Sequence, residues 1–175
     1  MQLYVPNVQQ SHFIIFDIEY DGANLVQLGL LKFSCVKPHI FELRQSLNLY
    51  IKQCQPLSNF FQSYTGITTN FVQENGITLK EAAELVKMTI GSSCPLIVSH
   101  GVKCDLHILK QNGIDLTSYP SYCTYEHSKT FSQQLTLAEV AVMDGFYLFN
   151  EHNAYADAWG TLHAFCYLQQ KEKEI

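Results

Sequence analysis

The stretch Phe13-Ile14-Ile15-Phe16-Asp17-Ile18-Glu19-Tyr20 decides how the rest of the chain is read. Four bulky apolar residues in a row are the pattern of a strand buried on both faces. Two carboxylates follow, two residues apart. Side chains alternate across a strand, so Asp17 and Glu19 point to the same side. Unpaired anions in a buried strand each cost on the order of several kcal/mol. They are tolerable at a strand's open end, where they can bind cations. Alone, the octapeptide fits equally well a strand that runs into an acidic loop. Residues far downstream separate the two readings.

Working outward, Asp21-Gly22-Ala23-Asn24 is turn chemistry, and residues 25–36 and 41–50 read as two further strands in an antiparallel meander with the first. Residues 1–11 read as a loose polar lead-in. A short helix at 56–64 is broken at Thr65-Gly66-Ile67-Thr68. A stronger helix at 78–90 opens with a Thr78/Glu81 capping box and carries Leu79, Ala82, Ala83, Val86 and Ile90 as its apolar stripe. Residues 95–99 form a short apolar strand, central and parallel to the first. The spacing then predicts a helix at 103–112 stopping at Gly113, a brief fifth strand at 122–124, a helix at 135–144, and a last helix at 153–170 before a charged tail. No internal repeat, low-complexity tract or linker interrupts this order, which is that of one α/β domain.

The 175 residues suit one compact domain, and 47% hydrophobic against 15% charged residues indicates a globular chain. Net charge is -5, and Arg44 is the one arginine. That balance argues against a broad basic surface for gripping duplex nucleic acid. No apolar run approaches the roughly 20 residues of a membrane span, and the N-terminus lacks a signal-peptide pattern. Six cysteines lie scattered through apolar segments and read as buried thiols of a reducing, cytoplasmic compartment, not as a disulfide frame.

Two further acidic islands stand beside the first. In Ser99-His100-Gly101-Val102-Lys103-Cys104-Asp105, a buried strand runs into a helix and Asp105 falls in its first turn. That is the carboxyl end of a strand, where open α/β sheets build their sites. An acid there also simply complements the helix dipole. In His152-Asn153-Ala154-Tyr155-Ala156-Asp157-Ala158, Asn153 is a natural N-cap. Ala154, Asp157, Ala158, Thr161 and Phe165 share one helical face. Small residues on that face let the helix approach the sheet and carry Asp157 toward the first strand, with His152 poised over the same spot.

Taken in order, Asp17, Glu19, Asp105, His152 and Asp157 resemble the motif set of the DnaQ-like 3′→5′ exonucleases of the DEDDh subgroup. Phe16-Asp17-Ile18-Glu19 matches the first motif, with Gln27-Leu28-Gly29 after it. His100-Gly101-x-x-Cys104-Asp105-x-x-x-Leu109 matches the second, and His152, Ala154, Asp157 and Ala158 match His-x-Ala-x-x-Asp-Ala. Thr65-Gly66-Ile67 is similar to the family's Gly-Ile loop. The resemblance covers about residues 12–168, and the step from His152 to Asp157 favours the histidine subgroup. It implies an RNase H-like fold, a five-stranded mixed sheet flanked by helices, in one exonuclease domain over 1–175 with its core at about 12–170.

The resemblance also implies chemistry. Two divalent ions about 3.5–4 Å apart can generate the nucleophile and stabilise charge on a phosphodiester, and hard oxygen ligands suit Mg²⁺ or Mn²⁺. Asp17 is expected to bridge the two ions. Glu19 and Asp157 are expected to hold one ion, and Asp105 to help hold the other. His152 is expected to be the general base, a task suited to an imidazole near neutral pH. Expected substrates are the 3′ ends of single-stranded DNA, with RNA second, delivered by a polymerase or another nucleic-acid-processing complex. Candidate substrate contacts are Tyr20, Thr65, Gly66 and Ile67. The chain departs from its relatives at Tyr20-Asp21-Gly22-Ala23, with small Ala23 where a bulky wedge is common, and at Gly101, where asparagine is common. No carboxylate is lost. A catalytically inactive binding module on the same fold, or an unrelated α/β protein with scattered acids, are the alternatives. His100, Cys104 and His107 could suggest zinc, but a structural site wants four ligands. The sequence does not determine oligomeric state.

Overall fold

The apolar run at 13–16 lies in the middle of a mixed sheet. The computed structural model describes residues 1–131 and 135–173. Strand β1 (Gln2–Tyr4) is short. β2 (His12–Asp21) pairs antiparallel with β3 (Asn24–Lys37), which pairs antiparallel with β4 (Ile40–Tyr50). On its other side β2 runs parallel to β5 (Leu96–Ser99), with Ile14 opposite Ile97, and β5 runs parallel to β6 (Ser121–Cys123). The order is β1-β4-β3-β2-β5-β6. The meander and the parallel fifth segment agree with the sequence reading. The described sheet has six strands rather than five because residues 2–4, read as loose lead-in, pair with β4 as an edge.

Strand alternation sorts the run between two cores. Phe13 and Ile15 face one side with Leu31, Phe33, Phe41 and Phe165, all 1% exposed or less. The Phe13 ring lies 4.8 Å from Phe33, 4.9 Å from Phe41 and 5.5 Å from Phe165. Burying each such side chain is worth about 1.5–3 kcal/mol. Ile14 and Phe16 face the other side with Leu28, Leu30 and Ile97. Helices α3 (Leu79–Ile90) and α4 (Val102–Gln111) cover that second face. Helices α6 (Leu137–Met143) and α7 (Ala154–Lys173) cover the first. Odd-numbered residues of β2 therefore face α7, and Asp17 and Glu19 inherit that direction.

The expected capping box at Thr78 and Glu81 is present. A second at Thr136 and Glu139 starts α6. Helix α1 (Asn59–Thr65) is capped by Ser58 and ends at Gly66, whose φ of 74° suits glycine. Helices α2 (Thr69–Asn75) and α5 (Thr124–Ser128) lie where the sequence reading placed none. The cysteines also differ from expectation. Cys166 is buried, but Cys35, Cys54, Cys94 and Cys104 are exposed, and all six are unpaired. Cys54 and Cys94 sit in loops rather than within apolar elements. No helix among the described residues is long and apolar enough to cross a membrane.

Candidate active site

Gly29 allows the site to assemble. A Cβ there would fall 2.2 Å from the carbonyl oxygen of Ala154, so only glycine lets the start of α7 lie directly on β3. Gln27, fully buried in the same strand, accepts the Ala154 N–H at 3.0 Å and donates to Asn48 Oδ1 at 2.8 Å. Asn153 Oδ1 accepts the N–H of Ala156 at 3.3 Å, as an N-cap does. Ala154, Asp157, Ala158, Thr161 and Phe165 are all buried, as the shared face requires. The helix docked this way carries Asp157 to the open end of β2.

Glu19, His152 and Asp157 each offer a ligand atom within 4.8 Å of the others. His152 holds a left-handed backbone, φ 64°, unusual for a residue with a Cβ. Its N–H donates to Asp157 Oδ2 at 2.9 Å, which ties the loop to the first turn of the helix. Asp105 sits in the first turn of α4, and its Oδ2 accepts from the Ser99 hydroxyl. Asp17 and Asp105 join the other three in lining one open cleft of about 320 Å³. His100, Gly101, Glu151, Leu148 and the start of α6 at Thr136–Ala138 complete its wall.

The described lining contains no lysine or arginine, so its acids repel one another uncompensated. Burial, then the charges of Asp105, Asp157 and Glu19, hold the Asp17 carboxyl well above the carboxylate range. Burial first, and then Asp157 and Asp105, push Glu19 up to about 7. Burial raises Asp105 to about 6 against the opposing Ser99 hydrogen bond. Burial raises Asp157 to about 7 although the N–H groups of His152 and Asn153 favour its anion. His100 goes the other way: burial lowers it to about 4, so it is neutral at pH 7 and bonds Thr124 Oγ1 at 2.9 Å. A crowd of buried, like-charged oxygen donors is stabilised by cations. The donor set, all hard oxygen with one imidazole, fits divalent ions such as Mg²⁺ or Mn²⁺.

Four other candidates lie outside this lining. Tyr20 is 41% exposed, Thr65 Oγ1 donates to Phe61 O and Gly66 ends α1. Ile67 packs with Val26, Leu57, Phe61 and Val72. Among the described residues His100, Cys104 and His107 do not bring their ligand atoms together as Glu19, His152 and Asp157 do; His100 bonds Thr124, and His107 bonds Gln111 at 3.0 Å. A Cβ at Gly101 would stand 3.8 Å from the Asp105 carboxylate, an ordinary van der Waals contact. The sequence reading quoted Ser99, His100 and Gln27 within its motif stretches without giving them these roles, and it did not single out Glu151. The signals for Gln27 were its place in Gln27-Leu28-Gly29 and a polar residue inside an apolar strand.

No family model matches the chain. The DNA polymerase III PolC-type protein of Latilactobacillus sakei subsp. sakei (strain 23K) is 26% identical over 174 residues, 95% of this chain and 12% of that protein. The chain thus spans about an eighth of that relative's length. E. coli exonuclease I in complex with a dT13 oligonucleotide superposes with a TM-score of 0.71 at 16% identity, over 95% of this chain and 42% of that one. A zinc-bound form of its single-stranded DNA complex scores 0.71. A 3′-exonuclease that recognises the 3′ end of the histone mRNA stem-loop scores 0.67 at 16% identity, over 95% of this chain and 84% of that one. This chain has the DnaQ-like exonuclease fold. In this chain the mixed sheet, its flanking helices and the cleft at the end of the second strand arise from the contacts described above.

Proposed function

We propose that the chain is a metal-dependent 3′→5′ exonuclease that releases nucleoside 5′-monophosphates from single-stranded nucleic acid, DNA in preference to RNA. The observation that carries this is the convergence of Asp17, Glu19, Asp105, His152 and Asp157, from three separate parts of the chain, on one open cleft. The PolC-type relative is a DNA polymerase by name, which favours DNA and a polymerase as partner. A zinc-bound neighbour supports a divalent ion in the cleft, and we assign Mg²⁺ or Mn²⁺ from the oxygen-rich donors.

Asp17 would reach both of two ions, Glu19 and Asp157 one of them, and Asp105 the other. When bound, such a pair supplies positive charge for the phosphate oxygens and an acidified water. His152, beside Glu19 and Asp157, takes the proton of the attacking water on a ring nitrogen. The water oxygen bonds to phosphorus as the P–O3′ bond breaks, and the departing O3′ gains a proton from solvent. Ser99 keeps Asp105 turned into the cleft, and the tie from His152 N–H to Asp157 keeps the base beside the acids. Tyr20 and the Thr65–Gly66–Ile67 turn are the proposed outer contacts to the strand.

The test is digestion of matched single-stranded DNA and RNA, blocked at either end, with Mn²⁺ and with chelator. Mononucleotides should leave an open 3′ end only, DNA faster than RNA, with Asp17→Ala inactive. Binding without any cleavage would assign the chain to the inactive class instead.

A further inference from the structure

We propose that His163 is a positioning residue for the proton acceptor: it fastens the segment between α6 and α7 that delivers His152, and so sets where the His152 imidazole stands over the cleft. The inference rests on the exonuclease reading, which gives His152 its task, and deepens it by naming what holds the base.

His152 needs holding. Its left-handed backbone, φ 64°, is strained for a residue with a Cβ and persists only where the surroundings fix it. The tie from its N–H to Asp157 fixes the end of the segment nearest α7. Among the described residues, no backbone hydrogen bond holds 147–151. The other end therefore depends on side chains. Helix α6 finishes in a Schellman turn, with Gly145 at φ 79° and the Phe146 N–H reaching the Ala141 carbonyl at 3.1 Å. That turn sends Phe146 onto α7, where its ring lies 4.3 Å from the His163 ring and inclined by only 7°. The same imidazole donates its Nδ1–H to Asp144 Oδ2 at 2.7 Å. One residue thus grips the chain on both sides of Gly145.

The grip is passed along α7. A Cβ at Gly160 would stand 3.4 Å from Leu148 Cδ2, so Leu148 rests on that bare spot, and Leu148 also lines the cleft. Positions 163, 160 and 157 are neighbours on the helix surface. The segment is fastened at each in turn, with His152 at the last. His163 itself lies outside the described cleft lining, about 9 Å beyond Asp157 along the helix axis. It therefore acts on the chemistry through His152 alone. A matched pair separates positioning from support. His127 Nδ1 donates to Glu172 Oε1 at 2.7 Å and its ring stacks on Tyr122 at 3.8 Å. These are the same two contacts, made near the other end of α7 and away from 145–152.

The experiment uses the whole chain. Steady-state digestion of single-stranded DNA at saturating Mn²⁺ gives kcat and KM, and calorimetry gives Mn²⁺ affinity. Nitrogen-15 NMR of the metal-free chain follows the His152 imidazole, assigned by its loss in His152→Ala. His163→Ala should lower kcat roughly 10–100-fold, the scale of a misplaced catalytic group, with KM and Mn²⁺ affinity little changed and the His152 signals moved. His127→Ala should shift the urea midpoint comparably and leave kcat and those signals as they were. Asp144→Asn, which keeps an oxygen for the His163 N–H, should retain most of the rate that Asp144→Ala loses. That pair carries the comparison if His163→Ala does not fold. If the His163 and Asp144 variants lower kcat no more than His127→Ala, or lower it with the His152 signals unmoved, the fastener is overturned while 3′ digestion stands. If the signals move but the unaltered chain digests no strand, the fastener stands and the exonuclease reading falls. If neither the signals move nor any strand is digested, both fall.

Discussion

Replacing Asp157 by asparagine should stabilise the metal-free protein at neutral pH while removing its activity. The Asp157 carboxyl is pushed from an ordinary 3.8 to about 7, chiefly by burial. At about 1.36 kcal/mol per tenfold, holding it ionised at pH 7.5 costs the fold about 4 kcal/mol. An amide removes that cost but keeps one oxygen for the N–H groups of His152 and Asn153, losing about 1.5–3 kcal/mol of charge-assisted hydrogen bonding. The expected net gain is on the order of 1–2 kcal/mol, roughly 2–8 °C in Tm for a domain of this size. The sign depends on pH. A raised carboxyl pKa means that the folded state binds more protons than the unfolded one. Its stability is then full below pH 4 and is lost as pH rises toward 7. At pH 4.5 the advantage of Asp157→Asn should vanish or reverse. Urea melts in chelator at both pH values measure this. With Mn²⁺ at a hundred times Kd the unaltered chain should recover about 2.7 kcal/mol, and the variant much less. Equal destabilisation of the variant at both pH values would refute the idea that repelling, buried acids strain this cleft.

Three further outcomes follow from the same geometry. Gly29→Ala should cost about 3 kcal/mol or more in urea melts, because the added Cβ meets backbone of Ala154 and Tyr155 that cannot give way. Ser99→Ala should lower the rate of strand digestion severalfold by freeing the Asp105 carboxylate, while shifting stability by only about 1 kcal/mol. His152→Ala should slow digestion roughly 10²–10⁴-fold, with Mn²⁺ affinity measured by calorimetry changing far less.

What could be read in advance was what is local. Phe13 to Phe16 had to be buried on both faces, and they are. Thr78 and Glu81 had to start a helix, because a capping box satisfies backbone donors within four residues. The inward face of α7 followed from helical spacing alone. Features that depend on distant partners were missed. Strand β1 is three residues long and exists because β4 offers it an edge. Gln27 looks like an outward polar residue until Ala154 and Asn48 arrive to bond it. Cys104 falls in the same motif as Asp105, yet it lies on the solvent side of α4, since one helical step turns a residue from cleft to water. Likewise Phe60 and Phe61 look alike in sequence, and only the packing of α1 shows which one is in the core.

The central claim is that these acids cage a pair of divalent cations, and anomalous diffraction from crystals soaked in Mn²⁺ tests it most directly. Two peaks about 3.5–4 Å apart should lie among Asp17, Glu19, Asp105 and Asp157, with the His152 imidazole beside them. A cleft free of manganese at saturating concentration, with the four carboxylates ordered as they are here, would contradict it.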